Sequence, residues 1–238
     1  RFSGYGGHGA AIAGFQNLVG RTDAAPIGPY GPYTDFVTPR FGIAALLAAL
    51  DHRQRTGQGC WLDVSQTEAS VQFLAPQIAE TSVTGRVQGA MGNRDLAMAP
   101  HGVFRAGGDD AWIAIAVQSD DQWRRLASLA DIDETAWETV KGRKRDEDAL
   151  EARIEEWTSG KNVSHLEQAL QDCGVPAHRL VSIEEFAKDP QIVARGHLVE
   201  LQHSVSGMMA IEASPFLFNR TPARSVRPAP NFGRDNIS

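Results

Sequence analysis

Cysteine is scarce in this chain: 238 residues carry only Cys60 and Cys173. Two thiols build neither a disulfide framework nor a metal-ligand set by themselves, so both read as reduced, packed side chains of a cytoplasmic protein that holds no metal. Basic charge is also short. Lys and Arg number 23 against 29 Asp and Glu, giving a formal charge of -6 and a pI near 5.6. No field of that sign attracts a phosphate polymer, which removes nucleic acid from the expected partners. Long apolar runs are missing too. The best, Phe41 to Leu50, falls well below the roughly 18 residues of a membrane span, and no membrane partner is expected. What remains is ordinary globular material, 42% hydrophobic and 22% charged, long enough for one large or two small cores. The chain opens on Arg1 rather than Met and is read as a processed chain, a fragment or a separately prepared piece.

Regular structure is sparse over the first 34 residues, where Gly, Pro and Ala dominate and a short helix near Ala10 to Val19 is the one expected element. A clearer helix runs from Pro39 to about Arg55. Thr38 suits its N-cap, Pro39 its first turn, and Gly57 its stop, with His52, Arg53 and Arg55 at its negative end. "CWLDVS", residues 60 to 65, alternates as a strand does. Ser65 and Glu68 have the spacing of a capping box for the next helix, which Pro76 interrupts. Residues 85 to 101 hold no sustained period and read as a loop. "HGVFRA" and "WIAIAV" around "GGDD" then form a hairpin.

Capping-box spacing recurs at Ser119/Gln122, Ser164/Glu167 and Ser182/Glu185. Trp123, Leu126 and Leu129 mark the apolar stripe of one helix, and Leu150, Ile154 and Trp157 that of another. Asp189-Pro190 starts a short helix ending at Gly196, "LVELQH" and "MMAIEA" pair around "SVSG", and an extended tail rich in Pro and Arg closes the chain. The middle, residues 85–185, reads as a small α+β domain between segments 1–84 and 186–238.

One carboxylate stands apart. Asp35 lies among Gly, Pro and Tyr in "GPYGPYTDFVTPRFG", just ahead of the expected helix. An acid there complements the positive end of the helix dipole. That place is also compatible with nucleophilic work, because a nucleophilic carboxylate acts in its ionised form, which hydrogen-bond donors at a helix N-terminus favour, but local spacing alone reads as capping.

Five strings, in order and well separated, carry a resemblance. They are "SGYGGHG", "YTDFVTPRFGIAALLAALDHRQRTGQGCWLDVSQTEA", "GNRDLAMAPHGVF", "GVPAHRLVSIEEFAKDPQIVARGHLVELQH" and "ASPFLFNRTPARSVRPAPNFG". Together they are similar to the family III CoA transferases, a family that includes an acyl-CoA racemase branch. The resemblance implies an α/β fold, part of a doubly wound Rossmann-like large domain plus a smaller α+β domain, in an interlinked homodimer. It also implies that a first stretch of roughly a hundred or more residues, about a domain's worth, lies outside this chain. In the family that stretch holds most contacts to the CoA nucleotide.

The same resemblance maps the catalytic aspartate onto Asp35. The substrates implied are coenzyme A, as an acyl-CoA donor, and a carboxylic acid acceptor, exchanged through an aspartyl anhydride and an aspartyl-CoA thioester. Gln66 falls where the family places a residue near the thioester, with solvent exposure at a helix start as its plain alternative. Tyr5 and Gly6, in the GYG turn, either meet CoA or fill the turn. Gly89 and Gly92 stand where the family carries a glycine-rich lid, or belong to a plain interdomain loop. Asn93 and Arg94 meet acyl or pantetheine groups, or Arg94 pairs with a surface acid. His101 is a further histidine near these residues.

A racemase of this family needs an acid in the segment that reads "AGFQNL" here. Gln16 occupies the place and no acid lies between Arg1 and Arg21, which disfavours racemisation. A non-catalytic subunit completing a hetero-oligomer, and a lyase or hydrolase using the same aspartate, stay open.

Overall fold

The computed structural model describes residues 4–133, 135–224 and 227–236. Its first part is helical. α1 (Gly6–Ala13) and α2 (Phe15–Leu18) precede a long α3 (Tyr33–Thr56); α4 (Gln66–Val71), a 3-10 turn (Gln72–Leu74) and α5 (Ala75–Thr84) follow. α1, α3 and α4 pack on one another beside a small apolar cluster of Ala10, Phe15 and Leu74.

The main core lies further along. β1 (His101–Arg105), β2 (Trp112–Ala116) and β3 (Ala177–Arg179) form an antiparallel sheet in that order. Ile113 opposes Phe104, and Ile115 opposes Gly102, on the face turned to the core. That face is covered by α6 (Asp120–Ala130), α8 (Glu147–Ser159) and α9 (Val163–Asp172), with the short α7 (Val140–Arg145) between α6 and α8. Trp123, Leu126, Leu150, Ile154 and Leu170 are fully buried there, each worth about 1.5–3 kcal/mol of transfer from water. Trp157 is only half-buried. Leu129 is 39% exposed, and Ala127 and Ala130 lie on the inward face instead, because positions 123, 126, 127 and 130 follow the helical i, i+3, i+4, i+7 spacing and 129 does not.

α10 (Ile183–Lys188) and α11 (Pro190–Ala194) lead to a separate hairpin of β4 (Leu198–His203) and β5 (Gly207–Glu212). The Ser182/Glu185 box is complete: Ser182 Oγ accepts from Glu185 N, and Glu185 Oε2 accepts from Ser182 N. Asp189 caps α11, with Pro190 at its first position. At α9 the cap is Asn162, whose Oδ1 accepts from His165 N, rather than Ser164. The Asn starts the helix earlier, so Ser164 falls inside it.

Three other expectations are corrected. α3 begins at Tyr33, a turn and a half before Pro39, with Pro32 as its N-cap residue. Residues 60 to 65 form no strand: a strand needs a neighbour to receive its hydrogen bonds, and none lies alongside among the described residues. Cys60 is exposed rather than packed, while Cys173 is half-buried; both are free thiols. No helix among the described residues is long and apolar enough to cross a membrane.

Candidate active site

Two tertiary contacts place the start of α3. The Tyr33 ring meets Phe15 edge-on, centroids 4.9 Å apart, and buried Thr34 donates from Oγ1 to the carbonyl oxygen of Gly6 at 3.1 Å. This approach needs glycine. A Cβ on Gly6 would sit 2.7 Å from Pro32 Cα, and one on Gly9 would lie 2.6 Å from Thr34 Oγ1. The GYGGHG string is thus the surface on which the start of α3 is seated, and any side chain at position 6 would push the N-cap residue away.

Asp35 occupies the first turn of that helix, half-buried, with its N–H donating to Pro32 O at 2.9 Å. Pro39 has no N–H, so the carbonyl of Asp35 lacks its helical donor four residues on. Gln66, the first residue of α4, donates from Nε2 to Asp35 Oδ1 at 2.9 Å. Thr38, one turn after Asp35, donates from Oγ1 to the Gln66 carbonyl at 3.4 Å. Gln66 is held by its side chain and its backbone at once, against two side chains on one face of α3. α4 itself is started by Ser65, whose Oγ accepts from Glu68 N. One oxygen of Asp35 is therefore fixed by an amide donor, and the carboxylate keeps a set orientation.

The other candidates fall into two places. Gly6, Asp35 and Gln66 are joined through the contacts just described, and Tyr5, beside Gly6, projects to solvent at 73% exposure. Gly89, Gly92, Asn93 and Arg94 belong to the loop between α5 and β1, which makes no hydrogen bond to Asp35 or Gln66 among the described residues. That loop is fixed at its far end. Gly92, at φ 64°, donates to Gly20 O at 2.8 Å. The Asn93 carbonyl lies 2.5 Å from His101 Nδ1. Arg94 holds Glu151 through two nitrogens, at 3.0 and 2.5 Å, and reaches Asp148 as well. These carboxylates raise the pKa of Arg94 further above its ordinary range, Glu151 foremost.

The segment Gly92–Arg94 lines two clefts. One, about 680 Å³, lies toward Arg21, Asp23 and the acids of α8. The other, about 710 Å³, opens on the outer face of the sheet over Val103, Ala114 and Ala116, with His178 and Gln171 at its margin. Both are of a size that holds small organic ligands. No group of three or more His, Cys, Asp or Glu is arranged to hold a metal among the described residues. Sequence reasoning missed Gly9, Thr34 and the structural part of Thr38. The glycine spacing in GYGGHG was the available signal for the first of these.

The profile of CoA-transferase family III matches residues 1–236. A succinate–glutarate CoA-transferase of Agrobacterium fabrum is 29% identical over 236 residues, covering 98% of this chain and 58% of that protein. A probable CoA-transferase of Mycobacterium tuberculosis, Rv1866, is 31% identical over 98% of this chain and 31% of its own length. The crystal structure of a CAIB/BAIF family protein from Brucella suis superposes with a TM-score of 0.86 at 26% identity, covering 96% of this chain and 60% of that one. The chain spans about three fifths or less of the length of these relatives, and over that span it belongs to CoA-transferase family III.

Proposed function

We propose that this chain carries the nucleophile of an acyl-CoA:carboxylate CoA-transferase. The observation that supports it most directly is the half-buried Asp35 carboxylate, oriented by Gln66 at the start of a helix seated on glycines. One Asp35 oxygen attacks the thioester carbonyl of the acyl-CoA and CoA leaves as the thiolate, giving an acyl-aspartyl anhydride. The thiolate then attacks the Asp35 carbonyl carbon and releases the donor acid, leaving an aspartyl-CoA thioester. An acceptor carboxylate displaces the thiolate again. Its return to the acceptor's acyl carbon yields the new acyl-CoA and frees Asp35. Gln66 orients Asp35 and donates to the oxygen it already holds. Several curated relatives are named for succinate, glutarate, malate, citramalate or oxalate, and a short dicarboxylic acid is the proposed acceptor class.

Incubating the enzyme with succinyl-CoA and trapping with hydroxylamine tests the route. The expected result is a mass change on the peptide bearing Asp35. Modification absent from that peptide, with transfer still proceeding, would overturn the mechanism.

The proposal extends to the assembly. Residues 1–84 and 186–238 belong to a large CoA-binding domain of Rossmann-like, doubly wound form, residues 85–185 to the small α+β domain, and the enzyme is a homodimer. Support comes from the length of the relatives and from apolar side chains facing solvent: Phe36, Leu46 and Leu47 on α3, and Trp61 at 91% exposure in a segment that pairs with no strand among the described residues. The lid falls to residues 86–91, since Gly92 and Arg94 anchor the far end. Hydrogen exchange on the assembled enzyme reads both ideas. Amides 61–64 are expected to exchange slowly, as paired strand, and amides 86–91 to gain protection when acyl-CoA is added. Fast exchange at 61–64 would sink the first; equal exchange at 86–91 with and without ligand would sink the second.

A further inference from the structure

The tail beyond the β4–β5 hairpin has its own electrostatic character. From Ala213 onward it carries four arginines and one acid, Asp235, in a chain whose net charge is -6. Arg224, Arg227 and Arg234 line one cleft of about 340 Å³, closed by Ile211 of β5, Pro228, Pro230 and Asp235. Elsewhere Arg94, Arg125, Arg143 and Arg179 each hold a carboxylate. None of the three cleft arginines forms an ion pair among the described residues, although Asp235 shares their cleft. Three like charges brought together repel one another, and an anion of more than one charge relieves that repulsion. Guanidinium forks match phosphate oxygens bidentately, and Pro228 and Pro230 limit the backbone freedom that binding would otherwise have to remove. At about 30 Å³ per water, the cleft has room for a diphosphate with part of its hydration.

We propose that Arg224, Arg227 and Arg234 form a binding site for a phosphate-bearing dianion. The group is carried either by a nucleotide or by free phosphate or diphosphate. The inference stands apart from the chemistry at Asp35 and survives if that reading fails.

Calorimetric titration of the full-length protein with pyrophosphate, at low ionic strength, tests it. Saturable binding is expected, weakened at least about tenfold in the triple variant R224Q/R227Q/R234Q and unchanged in Arg153→Gln, whose exposed guanidinium pairs with Glu156. All three cleft side chains lie on exposed residues, so melting should not move. If the triple variant nonetheless fails to fold, Arg227→Gln alone must weaken binding by at least threefold. Absence of saturable binding, binding that survives the substitutions, or equal displacement by chloride at matched ionic strength overturns the proposal. Adenosine 3′,5′-bisphosphate identifies the source: tighter binding than pyrophosphate supports a nucleotide ligand, and equal or weaker binding supports the free anion.

Discussion

Asp35→Asn is expected to abolish CoA transfer in the complete enzyme while leaving the fold intact. Asparagine keeps the shape of the side chain, and its Oδ1 can still accept from Gln66 Nε2, the one hydrogen bond that the carboxylate makes to another side chain among the described residues. It cannot attack a thioester or leave as a carboxylate. Every step of the double displacement passes through that carboxylate, so its loss should cost on the order of 5 kcal/mol or more of transition-state stabilisation, several orders of magnitude in rate. Losing only the acid's favourable place at the helix dipole would lower stability by about 1 kcal/mol or less and leave turnover of the folded protein nearly unchanged. Melting and single-turnover transfer on one preparation separate the two. Near-normal transfer by the variant would reduce Asp35 to a helix-start residue.

The second large effect is on stability, at Arg143. Its side chain is fully buried. Nε donates to Ala99 O at 2.7 Å, one terminal nitrogen donates to the carbonyls of Trp137 and Glu138, and the other pairs with Asp120 at 2.7 Å. The guanidinium carbon also stands 5.6 Å from the centre of the Trp123 ring. Arg143→Met should strand the Ala99 carbonyl in the core and release the loop before α7, while half-exposed Asp120 regains water. Breaking a buried charged network of this kind costs about 3–5 kcal/mol, which for a chain of this size lowers the melting temperature by on the order of 10 °C. A shift within a degree or two would show that the carbonyls find other donors. Arg145→Met, two positions on, removes an exposed pair with Asp146 and should change melting little.

That pair of arginines shows where sequence reading stops. In "VKGRKR" all four cations look alike, and a charge run ordinarily reads as a solvated face. Arg143 is buried because its place on α7 faces Trp123 and the carbonyl of Ala99, a relation between residues 20 or more positions apart. The start of α3 is a similar case. Local rules favour Thr38 and Pro39 as cap and first turn, yet Phe15 and Gly6 hold Tyr33 and Thr34 in helical geometry earlier. Two long-range contacts outweigh a capping preference of about 1 kcal/mol, and Pro39 is accommodated inside the helix.

Local chemistry alone determined a good deal of this protein. Turn composition and period-2 patterns specified the hairpins at 101–116 and 198–212. Ser119, Ser182 and Asp189 capped their helices as their spacing dictates, and Gly57, at φ 75°, ended α3. These are interactions within a few residues, so the string itself contains both partners. The family was also legible, because its motifs are contiguous and ordered along the chain. Tertiary structure decided what the string could not pair. It brought Gln66 to Asp35 across 31 positions, tied Arg94 to the acids of α8, gathered three tail arginines into one cleft, and left residues 60–65 without a strand partner among the described residues. Each depends on which surfaces meet when the chain closes on itself, and a strand or an ion pair exists only once its second half is in place.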